Sequence, residues 1–319
     1  ASRIVAVFGA TGLQGSAVIN RLLEDGNFTP RAITRDTHSE AALTLKERGV
    51  EVVQGDSGDK ASLVSALRES EAVFAVIWLS FVTFCLIYST SPQMTSPGTT
   101  SEVTQGKNII DAAKEADAKS FIFSSLPSLS KLSSGKYNIS SHHRTNELTD
   151  EKDKAEVEIC LKASGLPNVF LLFGGFAENF WRLNFLKKTS TGFNITLPKY
   201  NPTAISAFTW IGHDLGEATL AVLKSYTDPS KEVSGKSYPV VTAQLTWPAL
   251  AAMTSQALGV EVIYTCIPSS GIPPLDNLCE ARSKYELYST TPVPNPDLVA
   301  LEYTSPSSLS YFAYIRGSS

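Results

Sequence analysis

Three glycines near the start of the chain have the spacing of a phosphate-binding loop. Residues 9–15 read Gly-Ala-Thr-Gly-Leu-Gln-Gly and stand between an apolar run and an amphipathic helical pattern. Such glycines let the backbone turn tightly and approach a pyrophosphate, which free N–H groups and the positive end of the helix dipole then hold. The order strand, loop, helix predicts a dinucleotide site. Its residues are Gly9, Thr11, Gly12, Leu13, Gln14 and Gly15.

The residue after the second predicted strand bears on the choice of dinucleotide. A carboxylate there binds the ribose hydroxyls of NAD, whereas an arginine accommodates the extra phosphate of NADP. The chain has Arg35, which can form a fork to that phosphate and stack on adenine. We therefore expect NADP(H), although Asp36 stands next to this arginine. The alternative is a solvated arginine at the start of a helix.

Further candidates stand at the ends of other predicted strands. Asp56 follows the third strand and is either an acceptor for the adenine amine or an ordinary helix cap. Ile77 and Trp78 lie at the fourth and are assigned to the cofactor site. Ser124 and Ser125 end the fifth, where they would adjoin the nicotinamide and polarise a carbonyl, unless they are ordinary loop serines.

These residues need a sheet whose strands end at one edge. Apolar runs rich in β-branched residues alternate with amphipathic helical patterns, which is typical of βαβ units. The predicted strands are 4–8, 31–34, 50–54, 72–79, 120–124 and 169–173, and the predicted helices are 15–24, 40–48, 60–68, 102–116 and 151–164. The pattern predicts an α/β fold with a doubly wound, Rossmann-type parallel sheet.

Regular alternation fades after Gly174, where prolines become frequent. A smaller, irregular α+β C-terminal region is expected to close over the carboxyl edge of the sheet. The predicted domains are 1–180, which binds NADP(H), and 181–319, which binds a substrate or partner. Residues 204–223 read as strand, turn and amphipathic helix, and we expect them to pack back on the first domain.

The composition limits partners and compartment. The 319 residues carry 27 Lys and Arg against 31 Asp and Glu, a net charge of −4, so no basic field favours direct nucleic-acid or membrane binding. The four cysteines lack C-x-x-C spacing, which predicts free thiols, no metal site and a reducing, cytoplasmic compartment. The chain opens on strand residues rather than a secretory leader, which also favours the cytoplasm.

The chain is short of charge, at 18%, and one span accounts for much of this. Residues 72–101 contain no charged residue and no histidine, and 72–88 are nearly continuous apolar sequence. A membrane helix needs about 20 such residues, whereas this run has 17 and lacks a flanking Lys or Arg. We expect a buried strand that continues into a long apolar loop, which would serve as a substrate lid or partner surface.

Several segments together resemble the NmrA-like family of atypical short-chain dehydrogenases, which is related to the isoflavone reductases. They are GATGLQGSAV, AITRD, AALTLKERGVEVVQGD, SEVTQGKNIIDAAKEA, DKAEVEICLKASGLP and GGFAENF, with a weaker echo in WIGHDLGEA. The resemblance implies a Rossmann domain, a preference for NADP(H) and a place in secondary metabolism. It also implies two kinds of member: reductases of small molecules, and proteins that sense redox state without catalysis.

The Tyr-x-x-x-Lys pair of ordinary short-chain dehydrogenases is absent, since Ser141 stands four positions after Tyr137. The resemblance implies that a lysine in the helix before the sixth strand takes over, and the matching residue is Lys154. Val157 and Leu161 follow at helical spacing, so Lys154 lies near the apolar stripe and can reach inward. It would bind the nicotinamide ribose, donate a proton or stabilise a developing alkoxide. A solvated helix lysine is the alternative.

Other candidates come from the loop before Lys154 and from the segment after the sixth strand. Tyr137, His142 and His143 could supply a proton, unless they are ordinary polar loop residues. In the family the segment after the sixth strand lines the nicotinamide, although Phe-Gly-Gly stands here where members commonly have Arg-Pro. The cofactor residues that this implies are Gly174, Gly175, Phe176 and Asn179. Trp181, Phe185, Trp210 and residues 78–88 are either core or the wall of a hydrophobic substrate site.

Three functions stay open from the sequence. The leading hypothesis is an NADPH-dependent reductase of a small apolar carbonyl, enone or imine metabolite, with Lys154, Ser125 and Tyr137 as catalytic candidates. A regulator that binds NADP(H) and a protein partner without turnover is the second. The third is a redox-neutral isomerase or cyclase on the same scaffold. The sequence favours no oligomeric state.

Overall fold

Seven parallel strands form one sheet in the computed structural model, which describes residues 3–77, 100–137, 150–182 and 186–304. The strands are β1 (Ile4–Val7), β2 (Thr29–Thr34), β3 (Glu51–Gln54), β4 (Ala72–Ala75), β5 (Ser120–Ser125), β6 (Asn168–Phe173) and β11 (Ser237–Val240). Their order is β11-β6-β5-β4-β1-β2-β3, a doubly wound order with one more strand beside β6. The predicted fold class is confirmed.

Helices cover both faces of this sheet. The helices of the described chain, which include two that pack on the small sheets described below, are α1 (Leu13–Asp25), α2 (Glu40–Glu47), α3 (Lys60–Ala66), α4 (Glu102–Glu115), α5 (Leu129–Leu132), α6 (Asp150–Ser164), α7 (Asn179–Arg182), α8 (Gly216–Ser225), α9 (Trp247–Leu258), α10 (Pro273–Lys284) and α11 (Pro296–Val299). On one face Val18 and Leu22 of α1 share an apolar cluster with Leu220 of α8. On the other face α3, α4 and α6 share a second cluster, to which Ile109 and Val157 belong.

Short polar residues and glycine set the helix ends. Ser39, Asp59 and Ser101 precede α2, α3 and α4, and each side chain accepts a backbone N–H from the first turn of its helix. Gly26 ends α1 in the left-handed region, at φ 73°. Local sequence therefore fixes where these helices begin and end.

β4 is shorter than the sequence indicated, since it ends at Ala75 rather than at residue 79. Its pairing with β1 ends at Phe74, because the β1 chain turns there into the glycine loop. Residues 78–99, most of the charge-free span, lie outside the described part of the chain. Within the described part, no helix is long and apolar enough to cross a membrane.

The second half of the chain returns to the first sheet. A π-helix (Ile211–Leu215) leads into α8, which packs on α1 through an ion pair between Arg21 and Glu217 at 2.6 Å. β11 then pairs with β6 and covers its outer edge. The sheet thus takes a strand from beyond residue 180, where the predicted first domain ended.

Two small sheets build the remaining layer. β7 (Gly175–Phe176), β10 (Ile205–Thr209) and β12 (Ala243–Thr246) form one, and β8 (Leu186–Lys188), β9 (Gly192–Pro198) and β13 (Glu261–Ile267) form the other. A single residue, Gly174, separates the end of β6 from the start of β7, so this layer starts at the carboxyl edge of the main sheet.

Candidate functional site

The glycine loop joins β1 to α1 in a conformation that requires glycine. Gly9 has φ +63°, and its carbonyl accepts the N–H of Gly12 at 2.9 Å. A Cβ atom on Gly15 would lie 2.3 Å from the Gly9 oxygen, so α1 approaches the loop as closely as a glycine allows. Gly12 caps α1, and no side chain bonds to the first-turn N–H groups. The positive end of the helix therefore faces the loop, as anion binding requires.

Two of the predicted loop residues, Gln14 and Thr11, differ in burial. Gln14 is buried, and its Oε1 accepts the Ser124 hydroxyl at 2.5 Å, which ties the loop to the end of β5. Thr11 is exposed beside Gly12. The glycine loop and β5 thus meet at one place, but the Ser124 proton is already engaged by Gln14.

The end of β2 presents a cation. Arg35 is exposed, and none of the described carboxylates forms an ion pair with its guanidinium. The carboxylate of Asp36 instead accepts the His38 N–H at 2.8 Å. The Asp36 carboxylate thus stabilises the turn that follows β2. The exposed Arg35 guanidinium at this strand end can bind an anion.

Asp56 caps a turn rather than a helix. Its Oδ1 accepts the N–H of Gly58 at 2.9 Å, whereas the cap of α3 is Asp59. The helix-cap alternative for Asp56 is therefore wrong. Because Asp56 is exposed at the end of β3, its second carboxylate oxygen can face an adenine amine.

Lys154 lies inside the protein, as expected from its position near the apolar stripe of α6. It is 6% exposed, and its Nζ donates to the Ile77 carbonyl at 2.8 Å and to Glu102 Oε1 at 3.1 Å. Glu102 is fully buried in the first turn of α4. Gly106 brings α4 against α6, since a Cβ there would lie 2.5 Å from Val157 Cγ2. The lysine is therefore a link between the end of β4, α4 and α6.

The two predicted hydroxyl donors make separate contacts. Ser125 donates to Glu158 Oε1 at 2.5 Å, and the serine is 1% exposed. Tyr137 donates to Glu280 Oε1 at 3.3 Å and accepts from Lys284 Nζ at 3.3 Å, both on α10. The hydroxyls of Ser125 and Tyr137 thus bond to side chains of two different helices, α6 and α10. His142 and His143 lie outside the described residues.

An aromatic cavity of about 120 Å³ begins where β6 ends. The predicted residues Gly174, Gly175, Phe176 and Asn179 all line it. Gly174 permits close contact with β10, because a Cβ there would lie 2.4 Å from the Ala207 oxygen. The residues assigned to the segment after β6 thus share one wall.

Aromatic rings form another part of the lining, and Trp247 is central among them. Its ring centroid lies 5.2 Å from Phe208, 5.9 Å from Phe180 and 5.9 Å from Tyr200. Thr246 caps the helix that begins at Trp247. The helix start therefore fixes the Trp247 backbone, and the neighbouring rings fix its indole.

Of the aromatic residues that the sequence left as either core or substrate wall, Trp210 is one whose side chain the structure describes. Trp210 stacks on His213 at 5.3 Å and is not part of the lining. Trp78, residues 79–88 and Phe185 lie outside the described residues, as does the Trp181 side chain. The wall comes instead from Phe180, Phe208 and Trp247, which are brought together from α7, β10 and α9.

A buried carboxylate connects the cavity wall to the nucleotide side of the fold. Glu178 precedes Asn179 and accepts the N–H groups of Ile211 and Gly212 at 3.2 and 2.7 Å. Burial raises the pKa of the Glu178 carboxyl, an effect the backbone hydrogen bonds partly offset. The π-helix that it binds leads into α8, which packs on α1.

Sequence reasoning missed Glu102, Tyr200, Trp247 and Arg282. Glu102 had a usable signal, since it is the first charged residue after a thirty-residue uncharged span and follows the N-cap Ser101. Trp247 stands in Thr-Trp-Pro, a helix-start pattern, but nothing local predicts that its ring meets Phe180 and Phe208. Among the described residues, no cluster of His, Cys, Asp or Glu could hold a metal. Cys160, Cys266 and Cys279 are free thiols, as predicted.

Comparison with solved structures agrees with the fold. NmrA, described as a negative transcriptional regulator, was solved with NAD and with NADP; the NAD form has a TM-score of 0.74 and 19% identity over 99% of this chain and 94% of that one. Triphenylmethane reductase from Citrobacter sp., complexed with NADP(H), has a TM-score of 0.69 and 20% identity over 98% and 99%.

Comparison of sequences identifies the family. The "NmrA-like family domain-containing oxidoreductase FrzB" of Cladobotryum sp. is 36% identical over 136 residues, which are 43% of this chain but only 38% of that protein. The NmrA-like family model matches residues 1–293. The resemblance inferred from the sequence is confirmed, and the chain belongs to the NmrA-like family.

Proposed function

We propose that the protein binds NADP(H) along the carboxyl edge of the main sheet and reduces a small apolar carbonyl, enone or imine compound. One observation carries the proposal: the aromatic cavity starts at Gly174, at the same sheet edge as the glycine loop after β1. A crevice at this edge, where the strand order reverses, is where open α/β sheets bind ligands. An apolar cavity beside it offers a place for a substrate.

The residues of the glycine loop fit a dinucleotide. A Cβ on Gly9 would lie 2.7 Å from Val76 Cγ1, and one on Gly15 would overlap the loop backbone, so a pyrophosphate can approach bare backbone. Arg35 would bind the 2′-phosphate, which favours NADP(H) over NAD. A relative of known structure was solved with both dinucleotides, and a related reductase with NADP(H). Bound NADPH would supply the hydride for reduction.

Lys154 is proposed to assist the reaction by positioning backbone beside the cofactor and by supplying positive charge. Its ammonium bonds the Ile77 carbonyl and thereby fixes the backbone that follows β4, next to the expected nicotinamide. Its charge would also stabilise negative charge that develops on a substrate oxygen. Ser125 and Tyr137 are the proposed proton donors. Each hydroxyl donates a hydrogen bond to a carboxylate, that of Glu158 for Ser125 and that of Glu280 for Tyr137, with which it could exchange a proton.

The test is direct. Purified protein is titrated with NADPH and binding is followed by nicotinamide fluorescence; carbonyl, enone and imine compounds are then screened for loss of the reduced-nicotinamide absorbance. We expect binding and turnover of at least one aromatic member. Binding without turnover of any compound class would contradict the reductase.

A second function is favoured by the enclosure of Lys154. Its ammonium faces Glu102 and Ile77, and neither it nor Ser125 or Tyr137 lines the cavity. A regulator that binds NADP(H) and a protein partner needs no such donor. Tight NADPH binding without turnover, together with a partner interaction that differs between NADPH and NADP⁺, would support it.

A further inference from the structure

The aromatic cavity has the size of one ring. Its volume is about 120 Å³, and an apolar cavity of about 150 Å³ in another protein holds a benzene molecule. A fused bicyclic system exceeds this volume, so its second ring would have to lie outside the cavity or displace the walls. Those walls are rigid, because Trp247 packs against Phe180, Phe208 and Tyr200 at ring distances typical of aromatic pairs.

The polar groups of the cavity are mainly hydrogen-bond donors. Tyr200 and Ser206 are both buried and share one hydrogen bond at 2.6 Å, so one of their two hydroxyl protons is left for another acceptor. Trp247 Nε1 is buried, and it makes no hydrogen bond of standard geometry with the described residues. The Arg282 guanidinium lies on the same wall.

These donors lie around Tyr200, at what we call the donor end of the cavity: the Tyr200 hydroxyl bonds Ser206, and its ring centroid lies 5.9 Å from that of Trp247. Burial raises the pKa of Tyr200, and the Ser206, Arg282 and Trp247 side chains beside its oxygen partly offset that rise. Such an end favours an acceptor oxygen or nitrogen and disfavours a purely apolar group, because a buried donor without a partner is costly. Nearby Cys279 contributes no anion here, since burial raises the pKa of its thiol to about 12.

We propose that this cavity is a specificity pocket for a single unfused aromatic ring that carries a hydrogen-bond acceptor, with Tyr200 and Trp247 as the residues that select the acceptor. The aromatic walls select the ring and the donor end selects the substituent. The inference rests on the proposed function, since it assigns the ring to the compound that is reduced. It narrows the substrate to compounds with one terminal ring of this kind.

The pocket is tested by binding, without turnover. Calorimetric titration of the full chain uses acetophenone as the probe, with ethylbenzene, cyclohexyl methyl ketone and 2-acetonaphthone as comparisons. We expect acetophenone to bind about 3- to 10-fold more tightly than ethylbenzene, the size of one hydrogen bond. Cyclohexyl methyl ketone and the fused-ring ketone should bind more weakly than acetophenone.

Variants assign the preference to residues. Tyr200→Phe and Trp247→Phe each keep a ring and should reduce the preference for acetophenone over ethylbenzene. Tyr264→Phe is the matched control: its hydroxyl bonds the Tyr200 carbonyl and its ring stacks on Trp247, but it does not line the cavity. Leu278→Trp should fill the cavity and abolish binding of every probe.

The outcomes distinguish failure of the pocket inference from failure of the proposed reductase function. NADPH binding, measured on each variant by fluorescence, shows that the variant is folded. Acetophenone binding that is lost in Leu278→Trp supports the pocket even if no compound is turned over, in which case the reductase fails alone. Equal affinity for acetophenone and ethylbenzene, or unchanged preference in both Tyr200→Phe and Trp247→Phe, would overturn the inference.

Discussion

Lys154 and Glu102 form a buried ion pair in the mainly apolar interior of the protein. The two residues are 6% and 0% exposed, and 52 positions of sequence separate them. A buried ion pair contributes little net stability, yet removal of one partner leaves the other charge uncompensated. The pair therefore acts chiefly by fixing where the end of β4 lies.

Replacing one partner of this pair tests both its structural and its functional role. Lys154→Met should lower the free energy of unfolding by about 3–5 kcal/mol, because Glu102 is left buried without its cation. The double variant Lys154→Met with Glu102→Gln should recover much of that loss. Chemical denaturation measures both.

Measuring turnover in the double variant separates the role of Lys154 in the reaction from its role in stability. The stable double variant should still bind NADPH but lose reductase activity, because the ammonium is absent. Full activity in the double variant would refute a role for Lys154 in the reaction.

Arg35 sets the expected dinucleotide preference. Arg35→Ala should weaken NADPH binding about 10-fold or more, the size of a charge-assisted hydrogen bond, and leave NADH binding nearly unchanged. Arg68→Ala, a change of another exposed arginine beyond α3, is the matched control. Equal loss for both dinucleotides would show that Arg35 does not contact the 2′-phosphate.

At the scale of elements, the junction of β6 and β7 depends on one glycine rather than two. An alanine Cβ at Gly174 would lie 2.4 Å from the Ala207 oxygen, whereas one at Gly175 would make ordinary contacts at 3.7 Å. Gly174→Ala should therefore destabilise the protein by about 1–3 kcal/mol, as overpacking does. Gly175→Ala is the matched control. Similar denaturation midpoints for the two variants would contradict this account.

The contact between Glu178 and the π-helix should depend on pH. Burial raises the pKa of Glu178, so the folded state binds the proton more tightly than the unfolded state. Its stabilising contribution is present below the unfolded pKa and is lost as pH rises through the folded pKa. As pH rises above the ordinary glutamate pKa of about 4.3, wild type should lose stability relative to Glu178→Gln, as measured by urea denaturation.

A carboxylate with the opposite shift provides the control. The Lys284 ammonium beside Glu280 lowers the pKa of that carboxyl, so its contribution is present above the unfolded pKa and lost as pH falls. The difference between wild type and Glu280→Gln should therefore run the other way. Parallel pH profiles for the two variants would show that Glu178 is not the group responsible.

At the scale of the whole molecule, cofactor binding should stabilise both layers together. α1 begins at the glycine loop and packs on α8, so the loop is connected to the part of the chain beyond residue 180. NADPH at 100 times its Kd should raise the free energy of unfolding by about 2.7 kcal/mol. In Gly15→Ala the new Cβ would overlap the Gly9 carbonyl, and the shift should vanish. Ser16→Ala should keep it; if Gly15→Ala kept it too, the loop would not be the binding site.

The fold class followed from local signals in the sequence. Strand runs, helix caps and the glycine loop each involve residues within about one turn or one strand of each other, so short-range sterics and hydrogen bonding specify them. The burial of Lys154 was also predictable, because Val157 and Leu161 mark the apolar stripe of its helix. Trp210, which the sequence left as either core or substrate wall, packs against a core cluster and stacks on His213, and no sequence signal singled out Trp247, which lines the cavity.

The sequence by itself thus determined the parallel sheet, the glycine loop between β1 and α1 and the family, since these depend on the order and periodicity of neighbouring residues. Only the tertiary structure decided that Glu102 is the partner of Lys154, that β11 completes the sheet and that Trp247 meets Phe180 and Phe208. The physical reason is that such contacts join residues far apart in the chain. They form when packed layers bring apolar faces together, and no local pattern records which distant side chains will meet.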